Sequence, residues 1–149
     1  MMRNWWKNLF EPKPYNTGYL SSRDGHKVFF MELGNPEGKP ILFFHGGPGG
    51  GCRPHQAKFV DLRKYRVIMF DQRGCGRSLP SGKLENNTTE SLLNDAIYLI
   101  TELKIKEKIV LRGGSWGSGA MGVWYRDSFF PNSCSSLNGF RVVLPVLTK

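Results

Sequence analysis

Runs of apolar and polar positions divide the chain into short segments of alternating type. Tyr15 to Ser22 and His26 to Leu33 read as two strands around the turn dipeptide Asp24-Gly25, which predicts a hairpin. Gly34 to Gly38 is a loop by composition. The run Pro40-Ile41-Leu42-Phe43-Phe44 is apolar throughout, as is Val67-Ile68-Met69-Phe70 after Arg66. Continuous runs of this length suit strands buried on both faces, as in a parallel sheet covered by helices. Between them, Pro54 to Tyr65 carries Ala57, Val60 and, less regularly, Leu62 at helical spacing and predicts a short helix. Thr88-Thr89-Glu90 is helix-start chemistry. The stripe Leu92, Leu93, Ala96, Ile97, Ile100 and Leu103 extends that helix to about Lys104 as a core-facing surface. A last strand, Lys108 to Arg112, leads into Gly113. Strands alternating with helices in this way specify an α/β sheet with helices on both faces.

Each buried strand runs into glycine-rich chain. After Phe44 comes His45-Gly46-Gly47-Pro48-Gly49-Gly50-Gly51, a string in which backbone N–H groups can converge on a ligand. Its readings are an oxyanion-hole loop or a phosphate loop, and the Gly-Lys-Ser/Thr that would complete a phosphate loop is missing. His45 is read as a residue that orders this loop rather than as a base. After Phe70 comes Asp71-Gln72-Arg73-Gly74-Cys75-Gly76-Arg77-Ser78, where an acid and two arginines can lock a tight turn by charge-assisted hydrogen bonds. After Arg112 comes Gly113-Gly114-Ser115-Trp116-Gly117, a Gly-x-Ser-x-Gly pattern following a strand. That is the form of a nucleophile elbow, in which a strained strand-to-helix turn presents the serine hydroxyl; taken alone, the pattern reads better as a flexible Gly/Ser loop, and the two upstream motifs are what favour the elbow. Arg112 is an oddity, a charge near the end of a strand where an apolar residue is expected, so it needs solvent or an acid. His26, beside the first turn, reads as a plain surface residue.

Composition narrows the function classes. A chain of 149 residues with 40% hydrophobic and 22% charged positions is one ordinary globular domain. The formal charge of +9 comes from 21 scattered Lys and Arg, densest at Arg63-Lys64-Tyr65-Arg66 and Lys104/Lys106/Lys108. Neither group is interleaved with aromatics as in a nucleic-acid module, so a solvated basic surface is expected, with no nucleic-acid partner. Cys52, Cys75 and Cys134 are an odd count without metal-ligand spacing, which suggests reduced thiols, no metal and no cofactor. The start of the chain has no apolar signal-peptide core and no segment is long enough to span a membrane, so a cytoplasmic protein without a membrane partner is expected. Trp5 and Trp6 are expected to pack on the domain surface.

The three glycine-rich motifs, in this order and spacing and with Asn86-Asn87-Thr88-Thr89 at the helix start, closely resemble those of the proline iminopeptidases. These are serine aminopeptidases of the α/β-hydrolase fold that release N-terminal proline from peptides. The likeness runs from about Tyr15 to Ser118. The resemblance implies Ser115 as the nucleophile, an oxyanion hole from the N–H of Trp116 and one from Gly46 or Gly47, and a peptide with N-terminal proline as substrate. It also implies a His and an Asp later in the chain, and a helical cap with acidic groups for the substrate's amino end.

The 149 residues depart from that pattern after Ser118. No histidine and no glutamate follow Ser115, and the single aspartate, Asp127, is 12 residues on. On a regular helix that is about 18 Å, too far for a triad acid. The expectation is therefore an α/β-hydrolase core truncated after the nucleophile elbow, residues 1–118, with a divergent tail, 119–149, from a shortened or frame-disrupted gene. The tail would hold a poor elbow helix and one strand, Phe140 to Leu144. In such a fragment Lys108 to Arg112 becomes an edge strand. Two readings follow, a serine aminopeptidase inactive without the missing groups, and a non-catalytic remnant or binding module.

Overall fold

The structure, a computed structural model, describes residues 11–46 and 50–113. Trp5, Trp6, Gly47, Ser115, Trp116, Asp127, Cys134, the elbow helix and the tail strand lie outside the described residues. Among the described residues five strands form one mixed sheet, β1 (Asn16–Ser21), β2 (Lys27–Gly34), β3 (Lys39–Phe44), β4 (Tyr65–Phe70) and β5 (Val110–Gly113), in the order β1-β2-β4-β3-β5. The hairpin pairs β1 with β2, β2 pairs antiparallel with β4, and β3 runs parallel to both β4 and β5. Among the described residues β5 is an edge.

Topology decides which faces are covered. The connection from β3 to β4 moves one way along the sheet, and that from β4 to β5 moves back across β3. Right-handed crossovers in opposite directions must lie on opposite faces. Side chains sort accordingly with a period of two. Leu42, Phe44, Ile68, Phe70 and Leu111 pack beneath helix α1 (Thr89–Glu102) with Ala96 and Leu99. Phe43, Val67, Met69, Met31 and Leu33 face the other way, against Cys52 and Ala57. Phe44 and Phe70 meet edge to face at 5.0 Å, so the ends of β3 and β4 are joined by aromatic packing.

Three expectations are corrected. The helix expected over 54–65 is a short 3₁₀ helix, Pro54–Phe59. Arg53 N–H donates to the Gln56 side chain at its start, and from Asp61 the chain turns back into β4. Second, Leu93 and Ile97 are exposed, while the face of α1 turned to the sheet carries Asp95, Ala96 and Leu99. Asp95 has to point inward because it pairs with a buried arginine, and this rotates the helix away from Leu93 and Ile97. Third, His26 is not a surface residue but 1% exposed, with a ring nitrogen, Nε2, 3.1 Å from the Glu85 carbonyl. The loop before α1 folds over the hairpin turn and covers it.

The corrected helix face gives a direct comparison. Leu99→Ala should destabilise the fold by about 2–5 kcal/mol, whereas Ile97→Gln should stay within about 0.5 kcal/mol of the parent. Urea unfolding of the two variants measures the difference.

Candidate active site

The carboxyl ends of parallel strands are where open α/β sheets build their sites, because the connecting loops converge there. Here the residues just beyond β3 and β4 are tied together by one carboxylate. Asp71, fully buried, follows the last residue of β4. Its Oδ1 accepts the Cys52 N–H at 2.6 Å and an Arg77 guanidinium N–H at 3.1 Å. Its Oδ2 accepts Arg77 Nε at 2.8 Å and the Arg77 backbone N–H at 2.9 Å. Arg77 also donates to the Cys52 carbonyl at 2.7 Å and lies 3.9 Å above the Phe29 ring. Burial on its own would raise the Asp71 carboxyl, but the Arg77 and backbone donors outweigh it and hold the group below the ordinary aspartate value.

The close approach of the two loops requires glycine at two positions. Gly51 and Gly76 both have left-handed backbones, φ +99° and +52°. A Cβ on Gly76 would stand 2.5 Å from Asp71 Oδ2, and one on Gly51 would stand 3.0 Å from the Gly76 Cα. Ser78 completes the turn, donating its hydroxyl to the Asp71 carbonyl at 2.5 Å while accepting the Phe29 N–H at 2.9 Å.

His45 is held from the same turn. The Gln72 N–H points at its Nε2 at 3.0 Å and the Gly51 N–H at its Nδ1 at 3.3 Å, so each ring nitrogen faces a backbone donor. Burial lowers the pKa of this imidazole. Neutral and committed on its Nε2 side to a backbone donor, His45 orders the loop, as its sequence context suggests. The Gln72 side-chain amide donates to the His45 carbonyl at 3.0 Å.

A second ionic group anchors the turn to the rest of the fold. Arg73, 3% exposed, makes a two-pronged pair with Asp95 of α1, both bonds 2.7 Å. It also donates to Asp24 at 2.6 Å and to the Asn86 carbonyl at 2.8 Å. The bonds to Asp95, then to Asp24, push the guanidinium further up from its ordinary value. Ser22 and then Arg73 hold Asp24 well below the usual carboxylate range. Sequence reasoning misses the pairing of Asp95 and Asp24 with this arginine. An acid on an apolar helical stripe, three residues from Leu92 and four from Leu99, is the signal available for Asp95.

Of the residues implied by the resemblance, the structure describes Gly46, two residues beyond the end of β3. Gly47, Ser115 and Trp116 lie outside the described residues. The strand leading toward Ser115 is described, and its register sets Gly113 opposite Phe44. Arg112 on that strand is buried, its guanidinium 5.8 Å from the centre of the Phe43 ring, a cation–π distance, and burial lowers its pKa. Cys52 is a structural thiol. It donates to the Phe70 carbonyl at 3.2 Å, and burial, then the Asp71 charge, push its pKa up. Among the described residues there is no cluster of three metal-ligating side chains, and no helix is long and apolar enough to cross a membrane.

Comparison with known proteins gives consistent likenesses. A sequence profile described as the alpha/beta hydrolase fold matches residues 39–138. The chain is 47% identical over 113 residues to a proline iminopeptidase of Arabidopsis thaliana, covering 75% of this chain and 30% of that protein. It is 48% identical over 108 residues to a proline iminopeptidase of Xanthomonas citri, covering 72% of this chain and 34% of that protein. In structure it is similar to a proline iminopeptidase-related protein of Thermus thermophilus, with TM-score 0.57, 29% identity and coverage of 68% of this chain and 36% of that one. The chain thus spans about a third of the length of the curated relatives it matches.

The depressed carboxylates give this end of the sheet an acid sensitivity. The native state holds the Asp71 and Asp24 protons less tightly than the unfolded chain does. The stability they contribute is therefore complete above the ordinary value of 3.8 and is lost as pH falls below it through their native values. Urea midpoints should drop between pH 5 and roughly pH 2, and Asp71→Asn should lower the neutral-pH stability by about 2–3 kcal/mol while flattening that drop.

Proposed function

Because this chain belongs to the α/β-hydrolase fold family, we propose that it carries the nucleophile and oxyanion parts of a serine aminopeptidase of the proline iminopeptidase type. Ser115 is the nucleophile. Its Oγ attacks the carbonyl carbon of the substrate's N-terminal proline, and the tetrahedral oxyanion collapses with loss of the amine to leave a prolyl ester on the serine. The N–H of Trp116 and one from Gly46 or Gly47 stabilise the oxyanion. Water then releases proline. The reaction uses no metal and no cofactor.

One observation carries the reading. Phe44 and Gly113 are register partners on adjacent parallel strands, which lie about 4.8 Å apart. The chain therefore leaves β3 after Phe44 and β5 after Gly113 side by side at the same level. This is the juxtaposition that an oxyanion loop and a nucleophile elbow need. Identity of 47–48% to proline iminopeptidases over this part supports the substrate class.

The same 149 residues favour a second reading for this chain acting alone. Among these residues no histidine follows Ser115, and His45 is committed to the loop. Without a base the serine stays a weak nucleophile, and the chain by itself acts as a binding module or not at all.

A fluorophosphonate probe separates the two. Slow labelling at Ser115, absent in Ser115→Ala, supports the enzyme reading. Turnover of proline arylamide by the 149-residue chain should fall on the order of 10⁵–10⁶-fold below that of an intact relative. No labelling at Ser115 under conditions that label an intact relative would sink the enzyme reading for this chain.

A further inference from the structure

Gln72 takes no part in the reaction as written, yet it holds His45 at two points, through its backbone N–H to Nε2 and through its side-chain amide to the carbonyl, each at 3.0 Å. The second bond has a consequence for the glycine loop. The His45 carbonyl and the Gly46 N–H belong to one planar trans peptide, in which the two groups point in opposite directions. Gln72 follows β4, and β3 lies between β4 and β5. With its carbonyl drawn to the β4 side, the peptide turns the Gly46 N–H toward the β5 side, the side of Gly113. Among the described residues no acceptor takes that N–H.

We propose that Gln72 is a positioning residue that sets the orientation of the His45–Gly46 peptide and so aims the Gly46 N–H at the oxyanion. The inference rests on the reading of Ser115 as nucleophile. In this role Gln72 acts through His45. Asparagine would not replace it, because one methylene less withdraws the amide from the His45 carbonyl while the backbone bond to Nε2 stays. The glutamine is thus matched in length to the separation of the two loops that Asp71 fixes.

Gln72→Met fills the same space without a donor and leaves the backbone bond to His45 in place. In the full 149-residue chain its amide resonances at Gly46 and Gly47 should move and exchange faster than in the parent, while the rest of the ¹H–¹⁵N spectrum is unchanged. Fluorophosphonate labelling of Ser115 should slow by roughly ten- to a hundredfold in its maximal rate, with the half-saturating probe concentration unaltered. Gln72→Glu, which also removes the donor without leaving a cavity, should do the same and decides the matter if the methionine variant does not fold. Unchanged glycine amides and an unchanged labelling rate in a folded variant would overturn the proposal. A parent chain that does not label at all counts against the nucleophile reading instead. The glycine amides alone then decide whether Gln72 orients the loop.

Discussion

A buried carboxylate with all its acceptor sites filled is the constraint on which this structure depends. Taking the Asp71 charge out of water would be costly if it were left unpaired. Here four N–H groups from Cys52 and Arg77 replace the lost water. Because the donors come from two separate loops, satisfying the charge also fixes where the loops lie. The chain at Gly51 and Cys52 cannot move relative to the turn after β4 without stripping donors from a buried anion. Gly51 and Gly76 are the steric condition for that arrangement, and the Ser78 hydroxyl and Phe29 N–H extend it to β2.

The ionic groups divide between the two ends of the sheet. At the carboxyl ends of β3 and β4, Asp71–Arg77 and Arg73 with Asp95 and Asp24 hold loops, and the Asp71–Arg77 and Asp95–Arg73 pairs are two-pronged. At the opposite end, Arg66 of β4 pairs with the buried Glu32 of β2 at 2.6 Å and reaches the Leu103 carbonyl. Around it, Lys64, Lys104, Lys106 and Lys108 are exposed. Much of the surplus positive charge thus lies away from the glycine-rich loops. Exposed lysines of this kind contribute solubility more than stability.

The likeness to proline iminopeptidases fits this division. What this chain shares with them is about a third of their length, and within it the described residues supply a scaffold and a loop geometry. Glycine-string backbone, a neutral histidine and a glutamine clamp need rigid support, and the sheet supplies it through the Phe44–Phe70 contact and the strand register. A loop with fewer buried bonds would hold its N–H groups less firmly, and electrostatic stabilisation of an oxyanion depends on donors that are already in place.

The sequence by itself determined the element order, the strand positions to within one or two residues and the α/β class. Continuous apolar runs, turn dipeptides and helix caps are local signals. It also marked the Asp-Gln-Arg-Gly turn as a charged lock and His45 as a loop residue, because glycine around charge has few other uses. Tertiary structure alone decided which face of α1 turns inward, since the pull on Asp95 comes from Arg73, 22 positions away. It buried His26 beneath a loop 59 positions further on. It paired Gln72 with His45, a contact between residues 27 apart that no periodicity records. Each of these is set by which loops the sheet brings together at one end, and the neighbours of a single position carry no trace of that.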